Sequence, residues 1–264
     1  MKPLSLFKNY TKLVILFSII CFTACTSNTA TQAPPKNKTT TQKPPTPPKK
    51  KQLILEHKIK QSPTNPKTTP TILLLHGMGS NEDDLFSFEK MIDDRFTVIS
   101  VRAPYTVAEG KYRWYQGSYS GPKPIIRHDQ VEVSLKKLTQ FIDEAVKEYS
   151  LDPSQIYIGG FSQGAIMSMA IGMTAPDKIA GLAAFSGRII PELKDKMEDK
   201  ESIQKLDVFI SHGTKDQVLK FDGAKDANQL FEEIGANVTF KNYETAHTIS
   251  QENLKDFLDW LHSR

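Results

Sequence analysis

The residues best placed to do chemistry in this 264-residue chain fall in a few short stretches. The first is Gly160-Phe161-Ser162-Gln163-Gly164, a G-x-S-x-G pattern between a β-rich run at 156–159 and a helical pattern at 163–173. A serine at a strand-to-helix corner sits in a strained turn with its hydroxyl clear of the sheet, and the flanking glycines let strand and helix pass closely. Such a hydroxyl is a weak nucleophile until a base takes its proton. His247, in Tyr243-Glu244-Thr245-Ala246-His247, lies just past the last β-rich run and before the last helical pattern. That loop suits a general base and acid arriving last in the chain. Of the other histidines, His57 lies near the N-terminal low-complexity stretch, His128 in a polar loop and His262 at the end of the last helical pattern. His76 and His212 each precede a glycine at a strand end, where a structural role fits them.

An acid is then needed to orient His247. Asp216, in His212-Gly213-Thr214-Lys215-Asp216-Gln217-Val218, follows the β-rich run 206–211 and falls at its carboxyl end. Asp222 lies farther into the loop and is the runner-up, while Asp207 begins the strand on the wrong side of the sheet. The chain order Ser162, Asp216, His247 is one of the three common orders of a serine triad. A tetrahedral intermediate also needs two preplaced N–H donors, each worth about 3 kcal/mol. Gln163 supplies one at the start of a helix, where the dipole favours negative charge. Met78 N–H, in the glycine-flanked stretch His76-Gly77-Met78-Gly79, is the expected second. A phosphate cradle would require a following G-K-[ST], which is missing there.

These groups must be held by a sheet. Apolar, β-rich runs at 71–75, 96–101, 156–159, 180–185, 206–211 and 238–243 alternate with helical patterns at 129–149, 163–173, 223–234 and 249–261. The run at 53–59 is expected as an outer strand. In 129–149, apolar Val131, Leu135, Leu138, Phe141, Ile142 and Val146 recur at helical spacing. Alternating strands and helices imply a mostly parallel sheet covered by helices on both faces. In such sheets the chemistry sits at the carboxyl ends of the strands. The stretch 103–127 is aromatic and irregular and resists threading.

Charge separates the chain into two parts. The formal net charge is +4, from 34 Lys+Arg and 30 Asp+Glu, but residues 1–51 hold nine lysines and no acid. Residues 52–264 hold 25 basic and 30 acidic residues, net −5. An acidic body lacks the basic face that a nucleic-acid partner requires. Both cysteines, Cys21 and Cys25, lie in the first 25 residues. A cysteine nucleophile, a cysteine-ligated metal and a disulfide in the body are therefore excluded.

The N-terminal 51 residues look like an address and a tether. Three lysines precede an apolar run at 13–24, which is shorter than the roughly 20 residues of a bilayer span. It ends Phe22-Thr23-Ala24-Cys25, which resembles a bacterial lipoprotein signal apart from Phe22, where an aliphatic residue is usual. Residues 1–24 are expected as the signal peptide, with Cys25 lipidated as the new N-terminus. Residues 25–51, rich in Thr, Pro and Lys, read as a disordered tether. The expected location is the cell envelope of a bacterium, with the protein lipid-anchored outside the inner membrane.

Beyond single residues, HGMGSNEDDL, RAPY, YRWYQ, GGFSQGA, SHGTKDQVL and FKNYETAHTIS occur in order from Thr71 to Leu261. Together they resemble the phospholipase/carboxylesterase family, which includes the acyl-protein thioesterases. The resemblance implies an α/β-hydrolase fold without a large cap domain over residues 52–264. It implies a cofactor-free serine hydrolase of the carboxylesterase class, acting on carboxylic esters and some thioesters of small molecules or lipids. It places the family roles on Ser162, Asp216, His247, Met78 and Gln163, and it suggests that Trp114 lines the acyl pocket. Thr248 departs from the Ser common after the histidine, and both carry a hydroxyl. The lipoprotein-type start is a second departure and weighs against a role in deacylating cytosolic proteins. Two alternatives stand beside the esterase: a non-catalytic surface-binding lipoprotein on a hydrolase fold, and a peptidase. The anchor is open to direct test. Metabolic labelling with a palmitate analogue is expected to mark the wild type and not Cys25→Ala, and equal labelling of both would exclude lipidation at Cys25.

Overall fold

The computed structural model describes residues 52–118 and 124–264. The signal, Cys25 and the tether lie outside the described residues. In chain order the elements are β1 His57–Lys60, β2 Thr71–Leu75, α1 Asp83–Phe86, β3 Thr97–Val101, β4 Tyr105–Ala108, β5 Lys111–Arg113, β6 Gly117–Ser118, β7 Ile125–Ile126, α2 His128–Tyr149 and β8 Ile156–Phe161. They continue as α3 Gln163–Thr174, β9 Gly181–Phe185, α4 Lys200–Gln204, β10 Asp207–Gly213, α5 Asp222–Ile234, β11 Asn237–Tyr243 and α6 Gln251–His262. The main sheet has seven strands in the order β1-β3-β2-β8-β9-β10-β11. Only the β1–β3 pair is antiparallel. This is the mostly parallel sheet expected from the alternation of strand and helix, and the α/β-hydrolase architecture that the family resemblance implies.

The inner strands β2, β3, β8 and β9 are buried on both faces because they are largely apolar, whereas the edge strands β1 and β11 carry exposed polar residues. In β2, Ile72 and Leu74 point into one core with Leu85 of α1 and Leu254, Phe257, Trp260 and Leu261 of α6. Leu73 and Leu75 point into the other with Val131, Leu138 and Phe141 of α2, Met167 and Ile171 of α3, and Phe231 of α5. Successive side chains on a strand face opposite ways, so a run with no polar alternation demands helices on both sides.

Several expected boundaries shift for local reasons. Ser250 caps α6 by accepting the Asn253 amide at 3.1 Å, so that helix begins at Gln251 and not at 249. The expected outer strand at 53–59 is shorter: β1 starts at His57. Leu53 and Leu55 are buried in the core ahead of it, and the Ile54 amide donates to Glu144 Oε2 of α2 at 2.7 Å. That segment alternates like a strand but gives this backbone bond to a helix side chain. The stretch 103–127 holds two small antiparallel ribbons, β4–β5 and β6–β7. They lack the long apolar run that marks a buried strand.

Two glycines decide how closely β2, β8 and α3 meet. A methyl group on Gly160 would stand 2.3 Å from the Gly164 carbonyl carbon, and one on Gly164 would stand 2.0 Å from Leu75 O. Neither space has room for a side chain, and the obstacle is backbone, which yields little. Gly159 is different, since its nearest neighbour would be the Ala183 methyl at 3.6 Å. Gly164→Ala is therefore expected to lose about 3 kcal/mol or more, with Gly159→Ala losing well under half as much. Thermal unfolding of the two variants checks this.

Candidate active site

Ser162 occupies the corner between β8 and α3 with φ 54° and ψ −114°. A residue with a side chain enters this region only when its surroundings force it there, at a cost of about 1–3 kcal/mol. The Ser162 amide donates to Phe185 O at 2.9 Å, and its carbonyl accepts from the Ile166 amide at 3.1 Å. One bond ties the corner to β9 and the other to the first turn of α3.

His247 reaches it from the loop after β11. His247 Nε2 lies 2.9 Å from Ser162 Oγ, and its Nδ1 lies 2.6 Å from Asp216 Oδ2. A carboxylate accepts, so Nδ1 carries the proton and Nε2 is free to take one from the serine. The Asp216 side chain is fully buried and that of His247 is 16% exposed. The Phe161 ring packs on the imidazole, with centroids 4.9 Å apart. Asp216 Oδ1 accepts the amides of Val218 at 2.7 Å and Leu219 at 2.9 Å, so two backbone donors hold the buried carboxyl in its turn. The Asp216 and His247 turns are joined by Thr214 N–H to Tyr243 O at 2.7 Å and Lys215 N–H to Thr245 O at 3.0 Å. Gly213 allows this, because a methyl there would lie 2.4 Å from both Thr245 O and Ala246 O.

Other candidate acids and bases lie elsewhere. Asp222 begins α5 and pairs with Lys225, and Asp207 at the start of β10 faces Arg264. His57 bonds Tyr149 Oη, His128 faces Glu192, and His262 accepts the Asp93 amide.

The two expected oxyanion donors flank the serine. Gln163 N–H is the first amide of α3, a position without an intrahelical acceptor. Met78 N–H has no acceptor among the described residues either. The Met78 side chain is half exposed. Its neighbour Gly77 presses on the corner, and a methyl there would lie 3.5 Å from Ser162 Cβ.

Several supporting residues carried no chemical signal in the sequence. His76 is fully buried; its Nδ1 donates to Gly77 O at 2.7 Å and its Nε2 accepts the Ala103 amide at 3.0 Å. Burial holds its pKa below the ordinary histidine value, in keeping with a neutral ring. The Gln163 side chain is a clamp, accepting Trp114 N–H at 2.8 Å and donating to Tyr115 O at 2.9 Å. Trp114 differs from expectation. It has no solvent-accessible surface, and its indole N–H donates to His76 O at 2.9 Å. The bond holds the carbonyl of His76 at the head of the His76–Gly79 stretch. The β5 strand adds to the same loop through Gly79 N–H to Tyr112 O at 2.7 Å and Tyr112 N–H to Ser80 O at 2.8 Å. Glu82 pairs with Arg102 in a two-pronged bond, with Arg102 Nε 2.6 Å from Oε2, and the guanidinium covers the Tyr112 ring. A cleft of about 490 Å³ adjoins the Asp216 turn, lined by Arg188, Ile189, Val218 and Leu219 among others, and none of the three residues Ser162, His247 and Asp216 lines it.

Residues 56–263 match the model of the phospholipase/carboxylesterase family. The chain belongs to that family. Acyl-protein thioesterase 1 of Candida albicans is 30% identical over 208 residues, which cover 72% of this chain and 90% of that protein. Acyl-protein thioesterase 1 of Debaryomyces hansenii is 26% identical over 220 residues, covering 77% and 94%. Among solved structures, the Bacillus cereus carboxylesterase superposes with a TM-score of 0.70 at 24% identity, covering 79% of this chain and 94% of that one. Esterase PE8 superposes with a TM-score of 0.69 at 22% identity, covering 79% and 98%. This member of the phospholipase/carboxylesterase family is thus a carboxylesterase-type hydrolase on an α/β-hydrolase fold.

The Glu82–Arg102 pair makes stability sensitive to acid. The Arg102 hydrogen bond holds the Glu82 carboxyl below its ordinary pKa. A lowered folded-state pKa contributes stability that is complete above the ordinary glutamate range and is lost as pH falls through the folded value. Glu82→Gln is expected to cost about 1 kcal/mol at neutral pH, as for a partly exposed pair. The variant and wild type should converge on acidification, as read by melting temperature against pH.

Proposed function

We propose that Ser162, His247 and Asp216 carry out the ester hydrolysis of this family member, with the amides of Met78 and Gln163 holding the oxyanion. Ser162 Oγ attacks the ester carbonyl while His247 Nε2 takes its proton. The negative charge that develops on the carbonyl oxygen is met by two backbone donors already in place, which need no reorganisation during the reaction. His247 then protonates the departing alcohol, and an acyl-serine remains. A water gives a proton to His247 as its oxygen bonds to the acyl carbon, and His247 returns that proton to Ser162 Oγ as the acyl–serine bond breaks and the acid leaves. Asp216 keeps the proton on Nδ1 and faces the imidazolium that forms twice per turnover. One observation carries this reading: the unbroken bond series from Ser162 Oγ through His247 to Asp216, at 2.9 and 2.6 Å.

The same acyl-enzyme accommodates a thiol leaving group, and the likeness to acyl-protein thioesterases supports extending the substrates to thioesters. The substrates are small-molecule or lipid esters. The proposed location is a bacterial cell envelope, with the catalytic body held to a membrane through lipidated Cys25 and the 25–51 tether. The charged start, the short apolar run and the Thr23-Ala24-Cys25 ending support it. No described helix is long and apolar enough to cross a membrane.

Hydrolysis of p-nitrophenyl butyrate and labelling by a fluorophosphonate probe test the assignment. Ser162→Ala should lose both, with kcat down about 10⁵- to 10⁶-fold because the triad acts as a unit. Retention of either activity by that variant would refute the role of Ser162.

A further inference from the structure

The stretch His212-Gly213-Thr214-Lys215-Asp216 sets a histidine four residues before the acid, at the end of β10. The turn folds back so that His212 Nε2 lies 3.0 Å from Asp216 Oδ2, the oxygen that also receives His247 Nδ1 at 2.6 Å. His212 Nε2 also lies 2.7 Å from Leu219 O. Both of its neighbours can only accept, so this nitrogen carries the ring's proton and donates. His212 Nδ1 is buried without a partner, as the unprotonated nitrogen of that tautomer. The side chains of His212 and Asp216 are both fully buried.

We propose that His212 is a positioning residue for the triad, pinning Asp216 Oδ2 so that the carboxylate plane is fixed before His247 binds to it. This rests on the triad reading above. Two amides hold Oδ1 from one side, but the Cβ–Cγ torsion of an aspartate is soft and turns both oxygens together, so a contact on Oδ2 narrows the tilt that the amides alone allow. If His247 were its only partner, ring and carboxylate could drift together and the Nε2 lone pair would lose its aim at Ser162. His212 sits near the end of an interior strand, paired with Asn242 of β11, and the Phe221 ring packs on it with centroids 6.1 Å apart. It is a rigid reference that does not move with His247. Burial lowers its pKa, and a neutral donor suits this place. A second cation here would oppose the imidazolium that His247 becomes during turnover.

The test compares His212→Gln, His212→Asn and His212→Leu in the full chain. The glutamine amide reaches the position of Nε2 and restores the donor, whereas the asparagine amide takes the place of Nδ1 and does not. With p-nitrophenyl butyrate, Gln should stay within about threefold of wild-type kcat. Asn and Leu should fall about 10- to 100-fold at unchanged KM, the scale of losing a hydrogen bond to a charged group. Gln exceeding Asn by tenfold or more in kcat supports the role, and any smaller difference overturns it. The low-field proton resonance of His247 Nδ1–H needs no substrate and separates this claim from the ester reading. If the wild type cleaves no ester, the ester reading fails. A resonance kept in His212→Gln and lost or shifted in His212→Asn would still uphold the positioning role, and one unchanged in both would end it.

Discussion

Where β8 turns into α3, the backbone of Gly164 lies so close to Leu75 that a single methyl group would stand 2.0 Å from its carbonyl oxygen. The rest of the site follows from that approach. It brings the first turn of α3 against the end of β2, which sets the Gln163 amide and the His76–Gly79 stretch beside one serine. It also leaves Ser162 little choice of backbone. The strained φ of 54° is held by bonds to Phe185 and Ile166 and by apolar strands packed on both faces. A loosely packed sheet would let this corner relax.

Burial is graded across the reacting groups. Asp216 is sealed from solvent and surrounded by donors, and His247 is only slightly exposed. A buried carboxylate without partners would be costly, and here two amides and two imidazoles meet it. The charge is thus fixed in place where the dielectric is low and its field on His247 is strong. The opposite side of the site is built with neutral groups. His76, Gln163 and Trp114 form a buried hydrogen-bonded lattice that shapes the oxyanion loop without adding charge to it.

The parts of this arrangement legible in the sequence were those that follow from backbone geometry. The Ser162 corner is readable because G-x-S-x-G is bounded by a buried strand and a helix. Asp216 and His247 were readable because each directly follows a strand, and strand ends converge on one edge of a parallel sheet. What escaped notice acts through side-chain bonds across long sequence gaps. The Gln163 amide was expected as a donor, but its side chain, bonded to Trp114 and Tyr115, gave no sign of being a clamp. Trp114 drew attention as a substrate-facing aromatic, and the structure hides it beneath the loop, because an indole N–H near a buried carbonyl finds its partner there. His212 reads as structural in the sequence, and its approach to Asp216 depends on a tight turn that composition does not reveal. The ribbons β4–β5 and β6–β7 were missed because short, partly exposed strands carry little periodic signal.

Charge told a different story in its two regions. The surplus lysines belong to residues 1–51, so the overall +4 describes that stretch and not the acidic body. The central claim is that a buried carboxylate, by holding His247 in one tautomer, turns Ser162 into a nucleophile. Asp216→Asn tests it most directly, since the amide keeps the shape and removes the acceptor-only character of the acid. The rate of fluorophosphonate labelling at neutral pH should fall about 10⁴-fold while the melting temperature changes little. Labelling within tenfold of wild type would contradict the account.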